Sequence, residues 1–417
     1  MLKVLGERLS IRPQLVYLNP GVHAGVSTKA VGQTPRFLIA GGLLDVTSEF
    51  HSVIAGGTVG VVDFCRDDDH CAIIAYMHAA LITGKHQLEL VEFPEPEPFA
   101  GGAVVDIDLC GICGTDIHAY QSGDPYNPAI CGHEWTGVVS ALGADTSRLT
   151  EGDRVVVAVP PSCGTCEPCR AGHARYCAAS FLVAVGRDPY APPHGGFAPR
   201  LAVHASRLVP VGAGLTPEQA AQVEPATVSY HAVRHTAPMP GELAVVQGAG
   251  PIGLTTMQYV VAAGAGTTIV IEPNEARRQL ALAVGATLAV TPDEAAATIA
   301  ELSQGLGADV VYECVGRPET IQGAVGHVRR GGRVCIIGFT HQPATIEPST
   351  WLVKEVTVSA ALAYTYDDFD RSMGLIADGR IQLDPLHSNT VGLDGLDAAL
   401  ADLASGSSPH TKVLVRP

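Results

Sequence analysis

The chain has 417 residues, which suggests about two or three domains, and its 47% hydrophobic and 16% charged content is that of a globular protein. A net charge of −16 argues against nucleic acid or an anionic membrane surface as a partner. The start, MLKVLGERLSIRPQ, carries charges where a secretion signal needs an apolar run, so the 11 cysteines read as reduced thiols and metal ligands. No apolar run of spanning length stands apart from a nucleotide-binding pattern, and the expectation is a soluble, cytoplasmic protein.

Residues 1–76 are Gly-rich and show no helix period. Only SVIAGGTVGVVDF, Ser52 to Phe64, has strand character, and Cys65, His70 and Cys71 lack metal-like spacing. They read as a poorly ordered N-terminal extension, which an upstream start codon would explain. At Met77 the character changes: MHAALITGKHQLELVEFPEPEP alternates as a strand pair and breaks at prolines. Residues 77–230 then carry short strands with Gly and Pro turns, AVVDIDLC, TGVVSALG and DRVVVAV among them, as a β-rich domain should.

Within that domain the stretch CGICGTDIHAYQSGDPYNPAICGHE, Cys110 to Glu134, gathers a thiol (Cys113), a hydroxyl (Thr115), two imidazoles (His118, His133) and a carboxylate (Glu134) around turn glycines. Zinc takes sulfur, imidazole nitrogen and carboxylate oxygen, and a catalytic site keeps one position open. Cys113 and His133 are two candidate ligands, and Glu224 in AAQVEPATVSYHAV is a third. Taken singly, each of these side chains would pass for a buried thiol or a satisfied core histidine; their crowding in one turn argues otherwise. Downstream, CGTCEPCRAGHARYC spaces Cys163, Cys166, Cys169 and Cys177 as C-x2-C-x2-C-x7-C, the pattern of a closed four-sulfur structural zinc site. An iron–sulfur cluster or a metal-free loop would use the same thiols, and His173 lies close enough to compete. Cys131 reads as a small buried hydrophobe, and Cys314 and Cys335 as members of apolar strands.

From about Ala237 strands and helices alternate, the mark of a doubly wound parallel sheet. ELAVVQ is a strand, GAGPIG opens a helix, and Gly248, Gly250 and Gly253 fit G-x-G-x-x-G, with Pro251 and Ile252 completing the turn. The glycines allow a tight turn, close approach of a pyrophosphate, and tight helix–strand packing; the helix N-terminus faces the phosphates. The next strand, TTIVIE, ends in Glu272, whose carboxylate suits the adenosine ribose hydroxyls and repels a 2′-phosphate, favouring NAD over NADP. Arg277 and Arg278 weigh the other way if one turns inwards, although such arginines are more often solvated or stacked on adenine.

GICGTDIH (Gly111 to His118), Gly132-His133-Glu134, the four-cysteine lobe and the glycine turn, in that order, resemble the zinc-dependent medium-chain alcohol dehydrogenases, in particular the sorbitol, threonine and butanediol dehydrogenase branch. The resemblance runs from about Met77 to the C-terminus. It implies a GroES-like catalytic domain over 77–230, a Rossmann domain over 231–364, and a segment, 365–417, that returns to the catalytic domain. It implies two zinc ions per chain, one at Cys113, His133 and Glu224 and one at the four cysteines. Thr115 and His118 would relay the alcohol proton, and Glu134 would act behind the metal. A homodimer or homotetramer is expected, while Tyr120, Trp135 and Phe181, the candidates for the pocket wall, match no single substrate. Two other readings stand beside this one: an NADP-linked or quinone-reducing relative of the same fold, and a catalytically idle nucleotide- and zinc-binding protein.

Overall fold

The computed structural model describes residues 73–417 apart from residue 213 and, before them, the backbone of four short strands. The reading of 1–76 as an extension, with Cys65, His70 and Cys71, therefore lies almost wholly outside the described residues. The chain divides into two units, Met1–Val53 and Ile54–Pro417. In the first, Arg36–Ile39 pairs antiparallel with Gly42–Asp45. In the second, Thr58–Val62 pairs with Ile73–Gly84, which pairs in turn with Gln87–Pro94. The strand pair read from Met77 thus begins at Ile73, because Ile-Ile-Ala-Tyr is as strand-prone as the residues after it.

A seven-stranded sheet carries the metal-capable residues. Its centre is Gly102–Gly111, buried on both faces, flanked by Glu134–Leu142 on one side and Lys412–Arg416 on the other. Arg154–Val157 and His387–Gly392 extend it outwards. Strands from residues 102 and 412 lie side by side, so the last strand of the chain belongs to this sheet. Apolar side chains of this sheet, among them Val105, Trp135, Val155 and Val413, form one core.

The second sheet is parallel throughout, in the order Leu288–Val290, Thr267–Ile271, Leu243–Gln247, Ala308–Glu313, Val328–Ile336, Thr357–Ala360. Numbered along the chain this is 3-2-1-4-5-6, the doubly wound dinucleotide-binding order. Cys335 lies inside a strand, but Cys314 falls one residue beyond Ala308–Glu313 at the carboxyl edge of the sheet, because the strand ends where Glu313 turns back to bond the following amides. The helix Val223–His235 runs through the expected boundary at 230 and packs against Pro251–Ala262 and Tyr366–Ala377. The boundary at 364 coincides with an N-cap: the Thr365 hydroxyl accepts from the Asp368 amide at the head of Tyr366–Ala377.

Candidate active site

Cys113 is the N-cap of the helix Gly114–Ser122, so its sulfur sits where the helix's unpaired amides favour an anion. The third helical residue, Asp116, is fully buried and accepts the Cys113 amide at 2.9 Å and the Gly132 amide at 3.2 Å, tying the two halves of the motif together. Burial pushes the Asp116 carboxyl up from its usual range, against His133 and these donors, which pull it down. His133 follows at the end of a turn, Pro128–Ile130, just before the strand Glu134–Leu142. Its Nδ1 lies 3.1 Å from the Ile130 carbonyl oxygen, so Nδ1–H donates there and Nε2 is left free for a metal.

One ligand atom from each of Cys113, His133 and Glu134 lies within 4.8 Å of the others. Glu134, however, is already engaged. Its carboxylate forms a buried ion pair with Lys412, whose ammonium also donates to the Ile112 carbonyl at 2.9 Å. Burial alone would lower the Lys412 ammonium; Glu134, Cys113 and Asp116 outweigh it and hold it raised. Glu224, in the first turn of Val223–His235, lies outside the compact group but within the electrostatic reach of His133 and Glu134. Burial pushes its carboxyl up to about 7, against the pull of His133 and the neighbouring Tyr364 hydroxyl. Thr115 lines the same helix turn, and its buried Oγ1 has no partner within the protein. His118 lies one turn on, exposed, its ring 6.4 Å from that of Phe339 in the loop after Val328–Ile336. Partial desolvation of the side chain and the neighbouring His341 lower its pKa.

The four cysteines converge as the spacing predicts: Cys163, Cys166, Cys169 and Cys177 each bring sulfur within 4.8 Å of the rest. The Cys166 amide donates to the Cys163 sulfur and the Cys163 amide to the Cys177 sulfur, both at 3.3 Å. Donors from Thr165 and Cys166 draw the Cys163 thiol down to about 6, while burial and its neighbouring thiols push Cys169 up to about 12. Four sulfurs this close together make a natural cation site.

At the nucleotide turn, Gly248 has φ +92°, and a Cβ on Gly253 would lie 2.0 Å from the Gly248 carbonyl oxygen, so neither position tolerates a side chain. Gly250 has open space around it, room for a pyrophosphate, and Pro251 is the first residue of the helix Pro251–Ala262, with Ile252 next. Glu272 is buried; its two oxygens accept the Ala249 amide at 2.8 Å and the Asn274 amide at 2.9 Å. The Nη2 of Arg277, a residue expected at the cofactor, donates to the carbonyls of His410 (3.0 Å) and Ser408 (3.4 Å), while its buried Nε has no partner within the protein. Arg278 is likewise spent, on the carbonyls of Glu272 and Pro273.

Residues 100–213 match the model of the alcohol dehydrogenase GroES-like domain and residues 251–378 that of the zinc-binding dehydrogenase. A 2-dehydro-3-deoxy-L-galactonate 5-dehydrogenase of Pseudoalteromonas atlantica is 33% identical over 343 residues, 81% of this chain and 98% of the relative. The chain belongs to the zinc-dependent medium-chain alcohol dehydrogenase family. Two solved structures share its architecture. An alcohol dehydrogenase of E. coli complexed with NADH has TM-score 0.71 and 25% identity, over 82% of this chain and 99% of that one. A zinc-binding dehydrogenase of Sinorhizobium meliloti bound to NADP has TM-score 0.71 and 29% identity, with the same coverage.

Within this dehydrogenase, reasoning from sequence missed Lys412, Tyr126 and Tyr364. Each meets the site from a distant or irregular segment, and no local spacing marks them. Of the pocket-wall candidates, Tyr120 and Trp135 are core residues, and Phe181 is 54% exposed on the helix Ala178–Ala184.

Proposed function

We infer that the protein is a zinc-dependent dehydrogenase that moves a hydride between a secondary alcohol or polyol and NAD. The observation that carries this reading is the convergence of Cys113 and His133 beside Thr115, whose buried hydroxyl finds no partner in the protein. A thiol at a helix N-terminus, an imidazole with Nε2 free and a carboxyl beside them suit zinc. Cys113, His133 and Glu224 hold that ion in this reading. Glu134 is excluded because Lys412 already neutralises it. The four cysteines hold a second, structural zinc.

Zinc, when bound, supplies the Lewis acidity that eases loss of the alcohol proton, and the nicotinamide supplies the hydride acceptor. Thr115 Oγ1 accepts the alcohol proton's hydrogen bond and passes it outward. His118, its pKa lowered, is neutral at pH 7 and able to take the proton at the mouth of the cleft. Glu272 receives the adenosine ribose hydroxyls and repels a 2′-phosphate. Arg278 is spent on main-chain carbonyls and Glu275, and the Nη2 of Arg277 on the carbonyls of Ser408 and His410, which supports NAD over NADP.

The architecture is a catalytic domain over 77–230 and 365–417 with the nucleotide domain, 231–364, between. The edge strand Thr357–Ala360, with Leu352, Val353 and Leu362 each at least 69% exposed nearby, is the surface through which the chain forms a homodimer, singly or within a tetramer. Free thiols in both metal clusters fit a cytoplasmic enzyme, and among the described residues no helix is long and apolar enough to cross a membrane. The test is NADH absorbance with a panel of secondary alcohols and polyols, before and after chelation. Turnover that chelation abolishes is expected; no turnover from any substrate by protein loaded with zinc and NAD would leave the idle reading standing.

A further inference from the structure

The loop between the two ligand-bearing segments carries a hydroxyl that the reaction does not use. The Tyr126 oxygen is 2.5 Å from Asp116 Oδ1 and 3.1 Å from the Ile130 carbonyl oxygen. Each of these acceptors already serves one ligand residue. Asp116 accepts the Cys113 amide through Oδ2, and the Gly132 amide, next to His133, through Oδ1. The Ile130 carbonyl accepts the His133 Nδ1–H. One phenol thus completes a circuit from the thiol side of the site to its imidazole side, by its hydrogen bond to Asp116 and its contact with the Ile130 carbonyl oxygen.

The circuit is held in place from outside. Asn127, the next residue, donates to the carbonyls of Val185 (2.9 Å) and Gly186 (2.8 Å), so the loop cannot slide along the helix Gly114–Ser122. The Tyr126 ring packs against the core of the first sheet, which fixes where its oxygen points. A phenol has one proton to give. The closer acceptor, the Asp116 carboxylate, receives it, and that bond is charge-assisted.

We propose that Tyr126 is a positioning residue for the catalytic metal: its hydroxyl fixes the separation of the Cys113 thiol and the His133 imidazole and so sets how tightly that site holds zinc. This rests on the reading of Cys113 and His133 as zinc ligands, and the experiment separates the two claims. Partners of this kind, one step removed from the ligands, are worth roughly 10- to 100-fold in metal affinity.

The measurement is zinc transfer from the full-length, zinc-loaded protein to a chromogenic chelator, with thermal unfolding of the same samples. Wild-type protein should release zinc in two phases, one for each cluster, and Cys113→Ala should identify the catalytic phase by lacking it. Tyr126→Phe, which keeps the ring, should speed the catalytic phase roughly 10-fold and leave the four-cysteine phase and Tm unchanged. A catalytic phase at the wild-type rate overturns the proposal. So does acceleration of both phases with a lowered Tm, which would make Tyr126 a support for the fold at large. Two full zinc equivalents in Cys113→Ala would instead remove the ligand reading on which the proposal stands.

Discussion

Lys412 and Glu134, 278 residues apart in sequence, form an ion pair in which both side chains are only 2% exposed. A Cβ on Gly111 would lie 2.4 Å from Glu134 Oε2 and 2.8 Å from Lys412 Cε, so the central strand gives up a side chain to make room for the pair. Buried ions are costly unless paired, and removing one partner strands the other. Lys412→Met should therefore lose about 3 kcal/mol or more of stability, and Glu134→Gln with Lys412→Met should recover much of it. Urea unfolding of wild type, the single variant and the double variant decides this. A single Lys412→Met variant as stable as wild type would show that the pair is solvated.

The two metal clusters should separate cleanly by mutation. Cys113→Ala is expected to abolish turnover while Tm stays within a few degrees, because only an open site is lost. Cys166→Ala should lower Tm substantially, because a closed four-sulfur site contributes folding free energy directly. Differential scanning calorimetry with zinc analysis of both variants checks the assignment, and an unchanged Tm for Cys166→Ala would refute the structural role.

Glu272→Gln removes the charge that repels a 2′-phosphate while keeping an oxygen to accept the Ala249 amide. The ratio of kcat/KM for NAD to that for NADP should fall at least roughly 10-fold, about 1.4 kcal/mol of lost discrimination. Steady-state kinetics with both cofactors measures it. A ratio that stays constant would mean that the choice is made elsewhere.

Asp368, on Tyr366–Ala377, is wholly buried and accepts from His231 Nδ1 at 2.7 Å, from Thr365, and from the half-exposed Arg234. It borders a cavity of about 390 Å³, shared with Arg175 and His235, that none of the Cys113 group lines. Burial alone would raise the Asp368 carboxyl; the bonds from His231, Thr365 and Arg234 outweigh it and hold the pKa well below the ordinary range. A depressed carboxyl stabilises the fold above its unfolded pKa, about 3.9, and the contribution is lost as pH falls towards the folded value. Asp368→Asn should be less stable than wild type by about 1–3 kcal/mol at pH 7, and the gap should close below about pH 4. Unfolding curves of both proteins across that range test it; a gap that persisted unchanged at low pH would show that the ion pairs are not its source.

What could be read in the sequence was what short spacing encodes. Cys113 with His133, the four cysteines and the turn at Gly248 are local patterns, and each folds as its spacing requires. The alternation after Ala237 likewise gave the parallel sheet, since each strand and its crossover helix follow one another in the chain. The pairing of Glu134 with Lys412 was not legible, because KVLVRP reads as an ordinary strand and nothing local says which sheet receives it. Arg277 illustrates the converse: its place one turn after Glu272 suggested a cofactor contact, but the carbonyls of Ser408 and His410, supplied by a loop far along the chain, take its guanidinium. Glu224 could be named from VEPATV, but the approach of Tyr364 to its carboxyl could not, since Tyr364 comes from far along the chain.

The strand Lys412–Arg416 sits beside Gly102–Gly111 in the middle of the first sheet, yet the ribosome makes it some 300 residues later. At ordinary elongation rates that is a wait of roughly 15 to 60 s, during which the nascent catalytic half has no ammonium for Glu134 and an open sheet edge. The nucleotide domain, contiguous in the chain, can complete itself first. Tags or truncations at the carboxyl end should therefore damage the zinc site before they damage dinucleotide binding.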